Sequence, residues 1–130
     1  MSNHESLKKL FTSCKTPEER YELIIDFGQK LTLMPTQLKN EDNLVPGCQS
    51  KLYLSYTFEE GLLYFKADSD ALISKGLAAL LLYLYNGTSP EYLLRNPPHI
   101  ITELSLSPTR ATGVGSLYTK MQKIALQHLV

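Results

Sequence analysis

Cysteine is scarce in this 130-residue chain: only Cys14 and Cys48 occur. Two cysteines permit a single disulfide, but a chain of this length builds a core without one, so two free thiols are expected. Nor do they make a metal site. Cys14, Cys48, His4, His99 and His128 show no CxxC, no HxxxH and no other ligand spacing. Long apolar runs are also missing. The most apolar stretch, GLAALLLYLY from Gly76 to Tyr85, is about half of the roughly 20 residues that cross a bilayer, so it reads as a buried helix. There is no excess of charge either: 13 basic and 13 acidic side chains cancel, with no basic run longer than Lys8-Lys9. That argues against nucleic acid or an anionic membrane as the main partner. The start, MSNHESLKKLF, is polar and does not read as a signal peptide. A cytoplasmic, reducing location is therefore expected.

What is present reads as one domain over residues 1–130, ordered as helices, a hairpin, then helices: an α+β fold. Leu7, Leu10 and Phe11 recur at helical spacing and predict a short helix ending before Thr16. Thr16, Pro17 and Glu19 then form a capping-box start. The helix that follows has Tyr21, Ile24, Ile25, Gly28 and Leu31 on one face. Residues 34 to 47 are loop, and long loops in compact domains are more often functional than short ones. KLYLSYTF alternates as a strand, EEG at 59 to 61 is a hairpin-length connection, and LLYFKA returns. The expectation is a small antiparallel sheet of two to three strands packed against several α-helices. Asp68, Ser69 and Asp70 supply a cap and first-turn acids for the apolar central helix, which exits at Asn86-Gly87. Ser89-Pro90 opens another helix, and a turn or two is expected around Ile100 to Leu104. The last helix starts as early as Pro108 and carries Leu117, Met121, Ile124 and His128 on one stripe. Cys14 and the tyrosines read as packing.

The chemistry centres on NLVPGCQSKLYLS, residues 43 to 55. A free cysteine is commonly a small buried hydrophobe. Cys48, however, follows Pro46-Gly47 on an irregular loop, and Gly47 leaves the backbone accessible and free to hinge. A nucleophilic hydrolase or acyltransferase needs a histidine beside the thiol, and nothing in the sequence brings His99 to it. A lone thiol without a base suits thiolate attack on sulfane sulfur already bound to another protein.

VPGCQSKLYL resembles the Gly-Cys-Gln-Ser segment of the SufE family of sulfur-acceptor proteins in iron–sulfur cluster assembly. RYELIIDFGQKL, DSDALISKGLAALLL and LSPTRATGV resemble three further segments of that family in the same order. Together they span about residues 16 to 126. The tryptophan common shortly after the family's cysteine is absent, with Leu52-Tyr53 in its place. The resemblance implies an α+β fold related to the IscU scaffolds. It implies that Cys48 accepts sulfur from the cysteine persulfide of a SufS-type desulfurase, stimulates that enzyme, and delivers the sulfur to a SufBCD-type scaffold. Pyridoxal phosphate is expected on the desulfurase, and no cofactor or independent turnover on this chain, a monomer or weak homodimer. Gly47, Gln49, Ser50, Asp70 and Arg110 are the candidate loop and partner-surface residues. Arg110 and Lys51 are the candidate charges to favour the thiolate. A persulfide needs shelter between transfers and a loop that then moves outward. The competing readings are an IscU-like cluster scaffold, which usually takes several thiolates, and a non-catalytic desulfurase-binding module.

Overall fold

The computed structural model describes residues 2–48, 50–104 and 106–129, with only the backbone of Thr102. Ser2 accepts the Glu5 N–H and starts α1 (Asn3–Thr12), which buries Leu7 and Phe11. Thr16 accepts the Glu19 N–H and Pro17 opens α2 (Pro17–Gln29). The Glu19 carboxylate reaches past Thr16 to accept the Lys15 N–H at 2.6 Å, so the capping box closes one residue early. Of the expected α2 face, Ile24 and Gly28 are buried, whereas Tyr21 stays 37% exposed.

The connection to the sheet is irregular apart from two single turns, Thr36–Leu38 and Glu41–Asn43. It is held down by buried Met34 and Val45. Strands β1 (Leu52–Glu59) and β2 (Leu62–Ser69) pair antiparallel from Leu52↔Ser69 to Glu59↔Leu62. The turn is thus Glu60-Gly61 alone, with φ of 51° and 81°, the conformation whose twist matches that of the flanking strands. Among the described residues the sheet has two strands, with isolated bridges Leu44↔Tyr53 and Leu63↔Thr88 at its edges. Neither edge segment extends into a third strand, because Pro46-Gly47 turns the chain away at one and Ser89-Pro90 starts a helix at the other.

α3 (Leu72–Tyr85) buries an unbroken run from Gly76 to Leu82, then Leu84 and Tyr85. Each such leucine contributes roughly 1.5–3 kcal/mol of burial. The helix packs on β2 with one side, and α2 crosses it where Gly28 meets Gly76. Its start differs from expectation. β2 runs on to Ser69, so the N-cap is Ala71, without a side-chain cap bond. Asp70 instead accepts the Lys51 N–H at 3.1 Å. Asp68 sits between Lys39 and Lys75, at 2.7 and 3.4 Å. These acids tie strand and loop together rather than capping the helix.

Asn86 leaves α3 and its side-chain amide pairs with the Phe65 backbone, Oδ1 accepting the N–H at 2.6 Å and Nδ2 donating to the carbonyl at 3.3 Å. α4 (Pro90–Arg95) is capped by Ser89, and α5 (His99–Thr102) is a single turn. Ser107 caps α6 (Pro108–Gln127), which buries Val114, Leu117, Met121 and Ile124. His128 carries that stripe onto β1, bonding Tyr56 at 3.0 Å and stacking on Phe58 at 4.3 Å. Among the described residues no helix is long and apolar enough to cross a membrane.

Candidate functional site

The segment before Cys48 is pinned from both sides. Val45 donates its N–H to Leu52 at 2.8 Å, and Lys120 of α6 donates to the Asp42 and Leu44 carbonyls at 2.9 and 3.2 Å. Gly47 then turns the chain with φ of 80°. A side chain there would be strained in that region, and its Cβ would lie 3.0 Å from the Ser116 hydroxyl. Cys48 comes next, its thiol 3.7 Å from the Gly113 carbonyl that accepts its hydrogen. Gly113, Ser116 and Lys120 follow at i, i+3 and i+7 on α6, so one face of that helix is the bed on which the loop lies.

The thiol borders a cavity of about 430 Å³. The loop and β1 contribute Cys48, Ser50 and Leu52, α3 contributes Ser74, Leu77 and Ala78, and α6 contributes Thr109, Arg110, Gly113, Val114 and Leu117. The lining is an apolar set with several hydroxyls and one guanidinium. Among the described residues, none of the lining groups is a histidine or a carboxylate, so no base stands beside the nucleophile there.

Electrostatics correct one expectation. Burial pushes the Cys48 thiol up from its ordinary value, with no opposing charge. Arg110 does line the cavity, but its guanidinium lies over the Tyr21 ring, 5.3 Å from the centroid, and donates to the Tyr21 hydroxyl at 3.3 Å. Lys51 is exposed. Burial is the cause that acts on the thiol, and it favours the neutral form.

Of the residues singled out from sequence, Gly47, Ser50 and Arg110 gather around Cys48. Asp70 lies at the margin, next to Ala71, which lines the cavity. Gln49 is outside the described residues. Cys14 is elsewhere, its thiol 3.7 Å from the Leu10 carbonyl, and both cysteines are free. Sequence reasoning missed Ser74, Gly113, Ser116 and Lys120. Gly113 carried the one available signal, a glycine inside a helix where it costs about 1 kcal/mol against alanine.

Comparison with known proteins gives this arrangement a family. The SufE family, described as the Fe-S metabolism associated domain, matches residues 5–125. The chain belongs to the SufE family. That membership connects it with iron–sulfur metabolism. It is 37% identical over 127 residues to SufE-like protein 1, chloroplastic/mitochondrial, of Arabidopsis thaliana, covering 94% of this chain and 34% of the relative. The chain thus spans about a third of the length of that SufE-like protein. An uncharacterised SufE-like protein of Synechocystis is 36% identical over 114 residues, 85% of this chain and 72% of the relative. The solution structure of a hypothetical protein from Thermus thermophilus superposes with a TM-score of 0.80 at 23% identity, covering 98% and 97% of the two chains. It shares the SufE-like fold.

Proposed function

We propose that Cys48 is a sulfur carrier serving a SufS-type cysteine desulfurase. In the transfer, the Cys48 thiolate attacks the outer sulfur of the desulfurase's cysteine persulfide. A bond forms between Cys48 Sγ and that sulfur, the donor's S–S bond breaks, and the donor cysteine leaves as a thiolate. The exchange is redox-neutral, and no oxidant is needed. Delivery to a SufBCD-type scaffold repeats the same step with this chain as donor. Pyridoxal phosphate belongs to the desulfurase, and this chain performs no turnover of its own. The reading places the exchange in the reducing cytoplasm.

One observation carries this reading: Cys48 is a thiol with no base beside it among the described residues, bordering a cavity of about 430 Å³ with room for a further sulfur atom. A hydrolytic nucleophile would need an imidazole there. A carrier needs shelter when loaded and release when docked; the cavity supplies the shelter, and Gly47, with φ of 80°, is where the loop would turn outward. Asp70 and Leu72, the latter 62% exposed, flank Ala71 at the cavity's edge, and Tyr21 with Arg110 lies beside it. Together they form the surface we assign to desulfurase docking, through which the enzyme is stimulated.

Intact-protein mass spectrometry after incubation with desulfurase and cysteine tests this directly. A gain of one sulfur mass is expected, reversed by reductant, absent in Cys48→Ser and present in Cys14→Ser. Sulfur on Cys14, or full stimulation of the desulfurase by an unlabelled Cys48→Ser protein, would overturn the carrier role.

A further inference from the structure

The Ser50 and Ser74 hydroxyls lie 2.8 Å apart, part-buried, and both border the Cys48 cavity. They come from different elements, Ser50 from the chain entering β1 and Ser74 from the first turn of α3. Two hydroxyls carry two hydrogens. One joins the pair, and the other has no acceptor among the described residues. That hydrogen borders the cavity and is available to any lone pair entering it. The empty thiol does not use it, because Cys48 donates to Gly113 instead.

A persulfide changes the demand. It is a stronger acid than its parent thiol, so its outer sulfur carries negative charge near neutral pH. An anion among Leu52, Leu77 and Val114 is unfavourable unless donors meet it. Arg110 gives one N–H to Tyr21, and Ser107 and Thr109 add hydroxyls at the start of α6. The Ser50–Ser74 pair is the donor set that belongs to the Cys48 segment itself, Ser50 lying two residues from the thiol.

We propose that the Ser50–Ser74 hydroxyl pair is the binding site for the outer sulfur of a Cys48 persulfide. The pair already links the chain after Cys48 to α3, and in the loaded state it would hold the sulfur as well. The inference rests on the carrier reading for its biological sense, but it concerns the acceptor site alone and can be tested without the desulfurase.

The test uses glutathione persulfide as donor, on a Cys14→Ser background so that a single thiol reacts. Sulfur transfer forms the Cys48 persulfide and releases glutathione thiolate. The apparent pKa of the loaded group is read from the pH dependence of its alkylation, and its lifetime from loss of the sulfur mass in excess glutathione. Losing one charge-assisted hydrogen bond raises that pKa by about one unit and shortens the lifetime about tenfold in Ser74→Ala and Ser50→Ala. Ser74→Thr keeps a hydroxyl and restores both. The empty thiol's alkylation profile stays as in the parent, which a mere packing defect would not allow. Unchanged lifetime and pKa in both alanine variants, or equal shifts of the empty and loaded groups, would refute the assignment. Loading from glutathione persulfide but never from desulfurase refutes the carrier reading and leaves this site standing. Loading from both without a serine effect does the reverse, and no loading from either removes both.

Discussion

The Cys48 thiol is held by what surrounds it rather than activated by it. Its hydrogen goes to the Gly113 carbonyl at 3.7 Å, a contact the thiolate cannot make. Burial adds to the preference for the neutral form. The sign follows: the native state binds this proton more tightly than the unfolded chain does. Its ionisation therefore leaves stability untouched below the ordinary thiol value of 9.0 and lowers it as pH rises through the raised native value. Alkylation of the empty protein by iodoacetamide should accordingly show a Cys48 midpoint above 9.0; a midpoint below it would mean an activating charge at rest. Gly113 sets the space. A Cβ there would lie 3.5 Å from the sulfur, ordinary contact, so Gly113→Ala keeps the thiol inside. Gly113→Val adds two methyls to the same spot. Overpacking of that kind costs about 1–3 kcal/mol and is relieved when the loop opens, so Cys48 alkylation at fixed pH should accelerate about tenfold. An unaltered rate would show that the sulfur does not rest against α6.

Among the elements, α6 fastens the segment before Cys48 through Lys120. The ammonium bonds the carbonyls of Asp42 and Leu44. Burial draws its pKa down, opposed by the charge of Asp42. Lys120→Met keeps the stem and removes both bonds. A hydrogen bond to a charged group contributes about 1.5–3 kcal/mol, so amide exchange across residues 42–47 should quicken at least tenfold while α3 amides are unaffected. Equal protection in the variant would show that the loop is held by other contacts. The elements also explain what sequence could reveal. Thr16, Ser89 and Ser107 each accept from the N–H three residues on, and all three helix starts follow from short patterns. The start of α3 does not, because Asp70 is drawn to Lys51 and Asp68 to Lys39 and Lys75. Those partners are set by strand pairing and a distant loop, outside any local window. The unrealised third strand is a similar case, its edge positions filled by single bridges. Cys48 was legible from its place after Pro46-Gly47. Ser74 was not, since a serine in a helix's first turn carries no local sign of what faces it.

At the scale of the molecule, the cavity exists because β1, α3 and α6 hold fixed positions around it, and α2 sets where α3 can lie. Sequence order separates Cys48, Ser74 and Gly113 widely, and only that packing joins them. The crossing of α2 and α3 is its tightest point. A Cβ on Gly28 would stand 2.9 Å from the Gly76 nitrogen, and one on Gly76 would run into the Ile24 carbonyl. These are backbone atoms, with no rotamer to yield. Gly115 offers the contrasting case, a helical glycine of α6 whose added Cβ meets nothing within 4 Å. Helix propensity alone favours alanine at both positions by about 1 kcal/mol. Packing reverses the sign at one of them. Gly115→Ala should raise the unfolding free energy by up to about 1 kcal/mol, whereas Gly76→Ala should lower it by roughly 1–3 kcal/mol or more. Urea titrations of the two variants beside the parent decide it. If both gain stability, the helices do not cross at Gly28 and Gly76, and the placement of Ser74 opposite Cys48 falls with that crossing.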